Sequence, residues 1–162
     1  MPASEIAALT EKFNQAHAAL QSALAGITDA SIKSSPGGEE WSAGQILSHV
    51  EEMQRQWADK AVLMTRQDKP FAGRTEAEQA RRLSYVKEHA NDSLAQHTVA
   101  LEDGKAHALK AISGLKASAL DKKGTRADGT TVTVREMVSK TICDHIQEHA
   151  RQIQETRKKA GG

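Results

Sequence analysis

The sequence is poor in several features, and each shortage excludes a class of protein. Cys143 is the single cysteine among 162 residues, so an intramolecular disulfide is excluded and a free thiol fits a reducing compartment. No stretch approaches the roughly 18 consecutive apolar residues that span a bilayer. The segment Met1–Glu5 lacks the basic start and apolar run of a secretory leader. We therefore expect a cytoplasmic protein without membrane spans.

An excess of charge of either sign is also absent. Lysine and arginine together number 22, aspartate and glutamate 21, and the formal net charge is +1. Proteins that hold nucleic acid or an anionic membrane through a basic surface carry a clear positive excess. We expect neither a nucleic-acid partner nor a membrane partner.

Strong helix formers dominate what is present. Alanine, glutamine, lysine, glutamate and leucine are abundant, proline occurs three times, and alternating runs of β-branched residues are almost absent. A chain of this length can bury a core without disulfides or a structural metal. The composition predicts an all-α protein, with residues 1–162 forming a single domain.

The first half of the chain predicts two long helices. Apolar residues at helical spacing place the first from about Ser4 to Ala25. The second begins at a capping box formed by Ser42 and Gln45, in which each side chain bonds the backbone of the other residue. It ends before Lys69-Pro70, because proline disfavours helical geometry in the residue that precedes it.

The middle of the chain is less regular. Thr75 is a candidate cap for a short helix that reaches about His89, and 91–93 offers a second helix start. An apolar stripe from Leu94 to Leu115 then marks a third long helix. The sequence leaves open whether these segments form one kinked helix or two.

A polar stretch separates this region from the last helix. Glycine and aspartate between Ala117 and Thr133 predict a short turn or small hairpin. Thr133 and Glu136 form a second capping box, which opens a helix from Val134 to about Lys158. Four long amphipathic helices favour an antiparallel four-helix bundle, with a long crossover between helices two and three.

Two histidines on this last helix are candidate metal ligands. His145 and His149 are four residues apart, so they lie one turn above each other. On a wheel at 100° per residue both fall within the arc bounded by Val138, Ile142 and Ile153. Buried imidazoles need partners. A metal ion would satisfy them, and so would hydrogen bonds to the backbone or to neighbouring side chains.

A third ligand would turn this pair into a site. His49 lies at one edge of the apolar stripe of helix two, whereas His17 and His97 lie within the stripes of helices one and three. Periodicity alone does not select among these three. Three histidines with open coordination are typical of catalytic zinc, whereas the HExxH pattern of metalloproteases is excluded because Ile146 occupies the glutamate position.

Two further residues near these histidines could carry chemistry. Glu52, about one turn after His49, is a candidate general base, although a solvated, salt-bridging glutamate is the commoner role. Cys143 points roughly 160° away from His145 around a helix with 100° steps. We expect Cys143 to be structural.

Two segments together resemble a known family. The segment Trp41–Val50 resembles the helix-two signature of the DinB-like (YfiT-like) metalloenzymes, with a tryptophan-serine start, an aliphatic pair and a histidine. The segment Asp144–Ile153 is similar to the C-terminal motif of that family, with its HxxxH and trailing glutamine-isoleucine. Gly44 and Ala150 depart from the usual pattern, but neither is a ligand position.

The resemblance implies a four-helix bundle that holds a divalent metal, commonly nickel or zinc, at His49, His145 and His149. It also implies a homodimer and a small-molecule substrate. Relatives include transferases that use low-molecular-weight thiols, so a thiol S-transferase or a hydrolase is the first hypothesis. The second is a metal-binding or stress-response bundle without turnover, and the third is a metal-free bundle with core histidines.

Overall fold

Helices dominate the computed structural model, which describes residues 2–161. Its α-helices are α1 Pro2–Ala23, α2 Asp29–Ile32, α3 Ala43–Arg66, α4 Glu76–His89, α5 Leu94–Ser113, α6 Val134–Glu136 and α7 His145–Lys159. A 3₁₀ turn lies at Ala117–Ala119 and a π-helical segment at Met137–Asp144. The predicted all-α class is confirmed.

Both predicted capping boxes are present. The Ser42 hydroxyl accepts the Gln45 N–H at 3.2 Å, and the Gln45 side chain accepts the Ser42 N–H at 2.8 Å. Thr133 and Glu136 exchange the same pair of bonds, each at 3.1 Å. These bonds satisfy backbone donors that a helix start leaves unpaired, which fixes where α3 and α6 begin.

The middle of the chain forms two helices, which settles the question left open by the sequence. Thr75 caps α4, and its hydroxyl accepts the Glu78 N–H at 3.1 Å. Ser93 caps α5 through a third capping box with Gln96. The chain therefore breaks between His89 and Ser93 because a new N-terminus is stabilised there.

The predicted hairpin forms before the last helix. Strands β1 Lys123–Thr125 and β2 Thr131–Thr133 pair antiparallel. Gly129 adopts φ +85° in the turn, a conformation that glycine reaches without steric cost. The Asp128 carboxylate accepts the Thr130 N–H at 3.0 Å and closes the turn.

A π-helical segment of eight residues, Met137–Asp144, was not predicted. It lies between α6 and α7 and buries Val138, Ile142 and Cys143 against α1 and α3. A π-helix closes a wider turn than an α-helix, so each residue advances by a smaller angle. A wheel drawn at a constant 100° therefore does not hold from Val134 to Ile153.

The four long helices α1, α3, α5 and α7 pack together around an apolar core. Helix α3 contacts α4, α5, α7 and the π-helical segment, while α1 contacts α5, α7 and that same segment. The largest fully buried side chains include Phe13, Leu20, Ile46, Leu47, Met53, Ile112, Ile142 and Ile146. This packing places α3 directly beside α7, where the candidate ligands lie.

A buried polar contact joins α1, α3 and α5. The Gln54 Oε1 atom lies 2.8 Å from His17 Nε2. The Gln54 Nε2 atom donates to the Leu101 carbonyl at 3.2 Å. Gly104 faces this amide, because a Cβ at that position would lie 2.4 Å from Gln54 Nε2. The close approach of α5 to α3 thus depends on glycine.

We predict that Gly104→Ala lowers the free energy of unfolding by about 1–3 kcal/mol, since the new methyl group displaces Gln54 from its partners. Urea denaturation monitored by circular dichroism measures the change. In a Gln54→Ala background the same substitution should cost much less, because the obstructing amide is gone. Equal costs in both backgrounds would contradict the proposed contact.

Candidate metal centre

The structure brings His49, His145 and His149 together between α3 and α7. One ring nitrogen from each lies within 4.8 Å of the others, which makes the three residues a possible metal-binding group. The ring centroids of His49 and His149 are 4.8 Å apart, and those of His145 and His149 are 4.6 Å apart. Metal binding by these residues remains a prediction. The hydrogen bonds and protonation of the three rings show whether they are suited to it.

The environment of His149 leaves one of its ring nitrogens able to bind a metal ion. Its Nδ1 lies 2.8 Å from Gln152 Oε1, and an amide oxygen can only accept, so Nδ1 carries the proton. The lone pair is then on Nε2. That atom is buried and has no hydrogen-bond partner among the residues that the structure describes. A buried acceptor without a partner is costly, and a cation would satisfy it.

His145 is oriented by its own helix in a similar way. Burial lowers the pKa of His145, and a hydrogen bond to the Thr141 backbone acts in the opposite direction, so a ring N–H donates to a carbonyl. The other ring nitrogen keeps its lone pair. Hydrogen bonds of this kind commonly fix the tautomer and orientation of metal-bound histidines.

All three imidazoles are kept neutral. Burial, followed by the nearby His149 and Arg82, lowers the pKa of His49 to about 3. Burial is also the main cause that lowers the pKa of His145 and that of His149. Histidine must be neutral to bind metal, so the protonation states at neutral pH suit the task.

The position of the histidine pair differs from the prediction in one respect. The buried residues of α7 include Ile146, Ala150 and Ile153, and His145 and His149 are only half-buried. The pair therefore lies at the edge of the buried stripe, not inside it, because the π-helical segment changes the angular register. An edge position leaves one side of the cluster open.

The distances leave room for a small adjustment. Zinc–nitrogen bonds of about 2.0–2.1 Å in a tetrahedral arrangement put the nitrogens roughly 3.3 Å apart. The ring nitrogens here lie within 4.8 Å of one another, so side-chain rotation must close the remaining gap. His49, 5% exposed, has less room for such a rotation than the half-buried pair on α7.

Aromatic and cationic side chains surround His49. The edge of Trp41 packs on its ring with centroids 5.9 Å apart. Arg82, on α4, donates from Nε to His49 Nδ1 at 3.2 Å. Arg74 lies nearby and makes two 2.8 Å bonds to the Glu52 carboxylate.

The other candidate ligands lie elsewhere. His17 is occupied by Gln54, and His97 Nδ1 lies 2.7 Å from Glu51 Oε2 in the contact between α3 and α5. Both are buried core histidines. Neither belongs to the three-histidine group, so the structure does not place them at the candidate centre.

Two expectations about neighbouring residues have different outcomes. Glu52 does pair with an arginine, but it is buried instead of solvated, and the bidentate contact with Arg74 occupies its carboxylate. Cys143 is buried, and burial raises the pKa of its thiol to about 12. A thiol in that state is a poor nucleophile, as expected for a structural residue.

Comparison with known protein families identifies the chain. A model described as the DinB superfamily matches residues 12–153, a range that includes all three histidines. The chain belongs to the DinB superfamily. A comparison with curated proteins found no match.

Two residues at the centre of this DinB superfamily protein were not singled out from the sequence. Gln152 follows His149 by three positions, so helical spacing alone could have identified it as the partner of that ring. Arg82 reaches His49 only because α4 packs on α3. No local pattern signals that contact.

The low pKa of His49 predicts a pH dependence of stability in the metal-free protein. Unfolded histidine titrates near 6.5 and folded His49 near 3, so between these values the unfolded state binds more protons and stability falls as the pH falls. Between pH 7 and pH 5 the free energy of unfolding should therefore fall by about 2 kcal/mol less in His49→Gln than in the original protein.

Urea denaturation in the presence of a chelator, at both pH values, measures this difference. Ser48→Ala is the matched control, since Ser48 is a buried residue of α3 that does not titrate in this range. It should keep the pH dependence of the original protein. An unchanged pH dependence in His49→Gln would show that the folded protein does not hold His49 neutral.

Proposed function

We propose that this DinB superfamily protein is a divalent-metal-dependent enzyme and that His49, His145 and His149 hold the metal. The observation that carries the proposal is the convergence of three neutral imidazoles, each with a ring nitrogen within 4.8 Å of the others. Nickel and zinc are the ions we propose, in line with the family resemblance and with the preference of imidazole for them.

The chain supplies the three proposed ligands and also the groups that contact those ligands. Gln152 and the Thr141 backbone fix the tautomers of the two histidines on α7. Trp41 covers one side of His49. A divalent ion bound here would supply Lewis acidity, which lowers the pKa of a coordinated thiol or water.

The carboxylates near the centre favour thiol transfer over hydrolysis. Glu52 is occupied by Arg74, and Glu148 forms an ion pair with Arg151. Hydrolysis of an ester or amide commonly uses a carboxylate or histidine as general base, and these two carboxylates are occupied. Attack by an ionised thiol on an electrophilic carbon makes no such demand. We therefore propose a low-molecular-weight-thiol S-transferase, with a metal-dependent hydrolase as the alternative.

Further features of the protein belong to the same proposal. We infer that α1, α3, α5 and α6–α7 form an antiparallel four-helix bundle and that α4 lies in the crossover between the second and third of these. The mutual contacts of the long helices support this arrangement. A single domain over residues 1–162, a homodimer and a cytoplasmic location remain predictions. Among residues 2–161, no helix is long and apolar enough to cross a membrane.

Metal binding is the first test. Elemental analysis and calorimetry with Zn²⁺ or Ni²⁺ should give one ion per chain. Replacing His49, His145 or His149 by alanine should weaken binding by at least about 100-fold, since each removes a ligand, and Gln152→Ala should weaken it by about 10–100-fold. His107→Gln, on the exposed side of α5, should bind like the original protein.

Equal affinity of His145→Ala and the unmodified protein would contradict the site. Purified protein that takes up no divalent ion at neutral pH would leave only the metal-free bundle with core histidines. Circular dichroism of each variant separates loss of a ligand from loss of the fold.

Turnover separates an enzyme from a non-catalytic metal-binding protein. We expect metal-loaded protein to accelerate the reaction of a small thiol with an electrophile such as a chlorodinitrobenzene, and a chelator to abolish the acceleration. His149→Ala serves as the inactive control. Metal binding without acceleration of thiol transfer, or of ester and amide hydrolysis, would favour the non-catalytic metal-binding or stress-response bundle.

A further inference from the structure

The hydrogen bond between Arg82 and His49 has a chemical consequence for the candidate centre. A guanidinium group can only donate, so His49 Nδ1 accepts from Arg82 Nε with its lone pair. The accepting imidazole is neutral and has one further ring nitrogen, Nε2, which then carries the proton. Neither nitrogen has a lone pair left for a metal ion.

Arg82 and a metal ion therefore compete for His49. Binding through Nδ1 would displace Arg82 directly. Binding through Nε2 would move the proton to Nδ1, where it would meet the Arg82 N–H. In both cases the 3.2 Å contact must break when His49 becomes a ligand. In this structure the Arg82 guanidinium is the cation that contacts His49.

A released Arg82 has no anionic partner of its own. Among residues 2–161, the structure shows no ion pair between Arg82 and a carboxylate. The acidic group that acts on it electrostatically is Glu52, which Arg74 already holds through two bonds. Arg82 is half-buried, and the neighbouring Arg74 is a second cation close to it.

The residues next to Arg82 do not supply a substitute. Arg81 donates to the Gln56 side chain, and Tyr85 donates to the buried Glu51 at 2.9 Å. The Gln56 amide and Lys60 both contact the Glu78 carboxylate. Each of these acidic groups already has a partner, so an anion from outside the chain would satisfy the released guanidinium.

We propose that Arg82 is an anion-binding residue of the substrate site. It leaves His49 when metal binds and then holds a carboxylate of the substrate thiol. The inference rests on the proposed function, because it names the substrate class of that same centre: small thiols that carry a carboxylate a few bonds from the sulfur. Guanidinium binds carboxylate through two parallel hydrogen bonds, which also orients the bound molecule.

The short distance between Arg82 and His49 sets the length of the substrate. The guanidinium group starts 3.2 Å from a ligand residue, so an anion held by it lies next to the centre. We expect a carboxylate two or three carbons from the sulfur to be within its reach. A neutral thiol of the same length would leave Arg82 without a partner, which penalises its binding.

Metal affinity tests the competition. Arg82→Met removes the competing donor, so we expect it to bind Zn²⁺ about tenfold more tightly than the original protein, measured by competition with a chromogenic chelator. Arg81→Met is the matched control, because it removes the same charge from the same helix without touching His49. Equal affinities of the two variants would overturn the competition.

Thiol binding to Co²⁺-loaded protein tests the anion site without any turnover. The charge-transfer band of a cobalt–thiolate bond can be titrated with 3-mercaptopropionate and with its methyl ester. We expect the original protein and Arg81→Met to bind the acid at least about tenfold more tightly than the ester. Arg82→Met should lose that preference. A preference that is absent from the original protein, or that survives in Arg82→Met, would overturn the proposal.

The two proposals fail in different ways. If neither the original protein nor Arg82→Met takes up Zn²⁺ or Co²⁺, the metal centre and the role of Arg82 are both wrong. If both proteins bind metal and thiol with the same affinities and the same preference between acid and ester, only the role of Arg82 is wrong. Circular dichroism confirms that each variant is folded before these comparisons are made.

Discussion

The burial of α3 on several sides is the constraint on which the rest of the structure depends. A helix packed in this way cannot leave its polar side chains to water, so each must find a partner on a neighbouring helix. Gln54 contacts His17 on α1, Glu51 contacts His97 on α5, and Lys60 contacts Glu78 on α4. These pairs fix how α1, α4 and α5 are placed around α3. His49 belongs to the same series and faces α7.

The candidate centre combines contacts of two ranges. His145 and His149 take their spacing and their tautomers from one helix, through Thr141 and Gln152. His49 reaches them only because α3 and α7 pack side by side. Half of the site is therefore a local property of the chain, and the other half exists only in the folded protein. Ligation by all three would bind α3 to α7 as well as hold an ion.

The same division explains what could be predicted from the sequence. The capping boxes at Ser42 and Thr133 depend on residues three apart, so they correctly located the starts of two helices. The family resemblance chose His49 over His17 and His97, which periodicity could not do. The burial of Glu52 and the contact from Arg82 arise from packing between distant segments. No spacing in the sequence encodes them.

The burial of Cys143 also affects how this protein can be studied. As the sole thiol of the chain, it lies in the π-helical segment with no exposed surface and with a strongly raised pKa. A thiol reagent added to the folded protein consequently meets only the thiols supplied as substrates. Once the segment between α1 and α3 opens, the same residue becomes reactive. The rate of its modification then reports the opening of the core at a position two residues before His145.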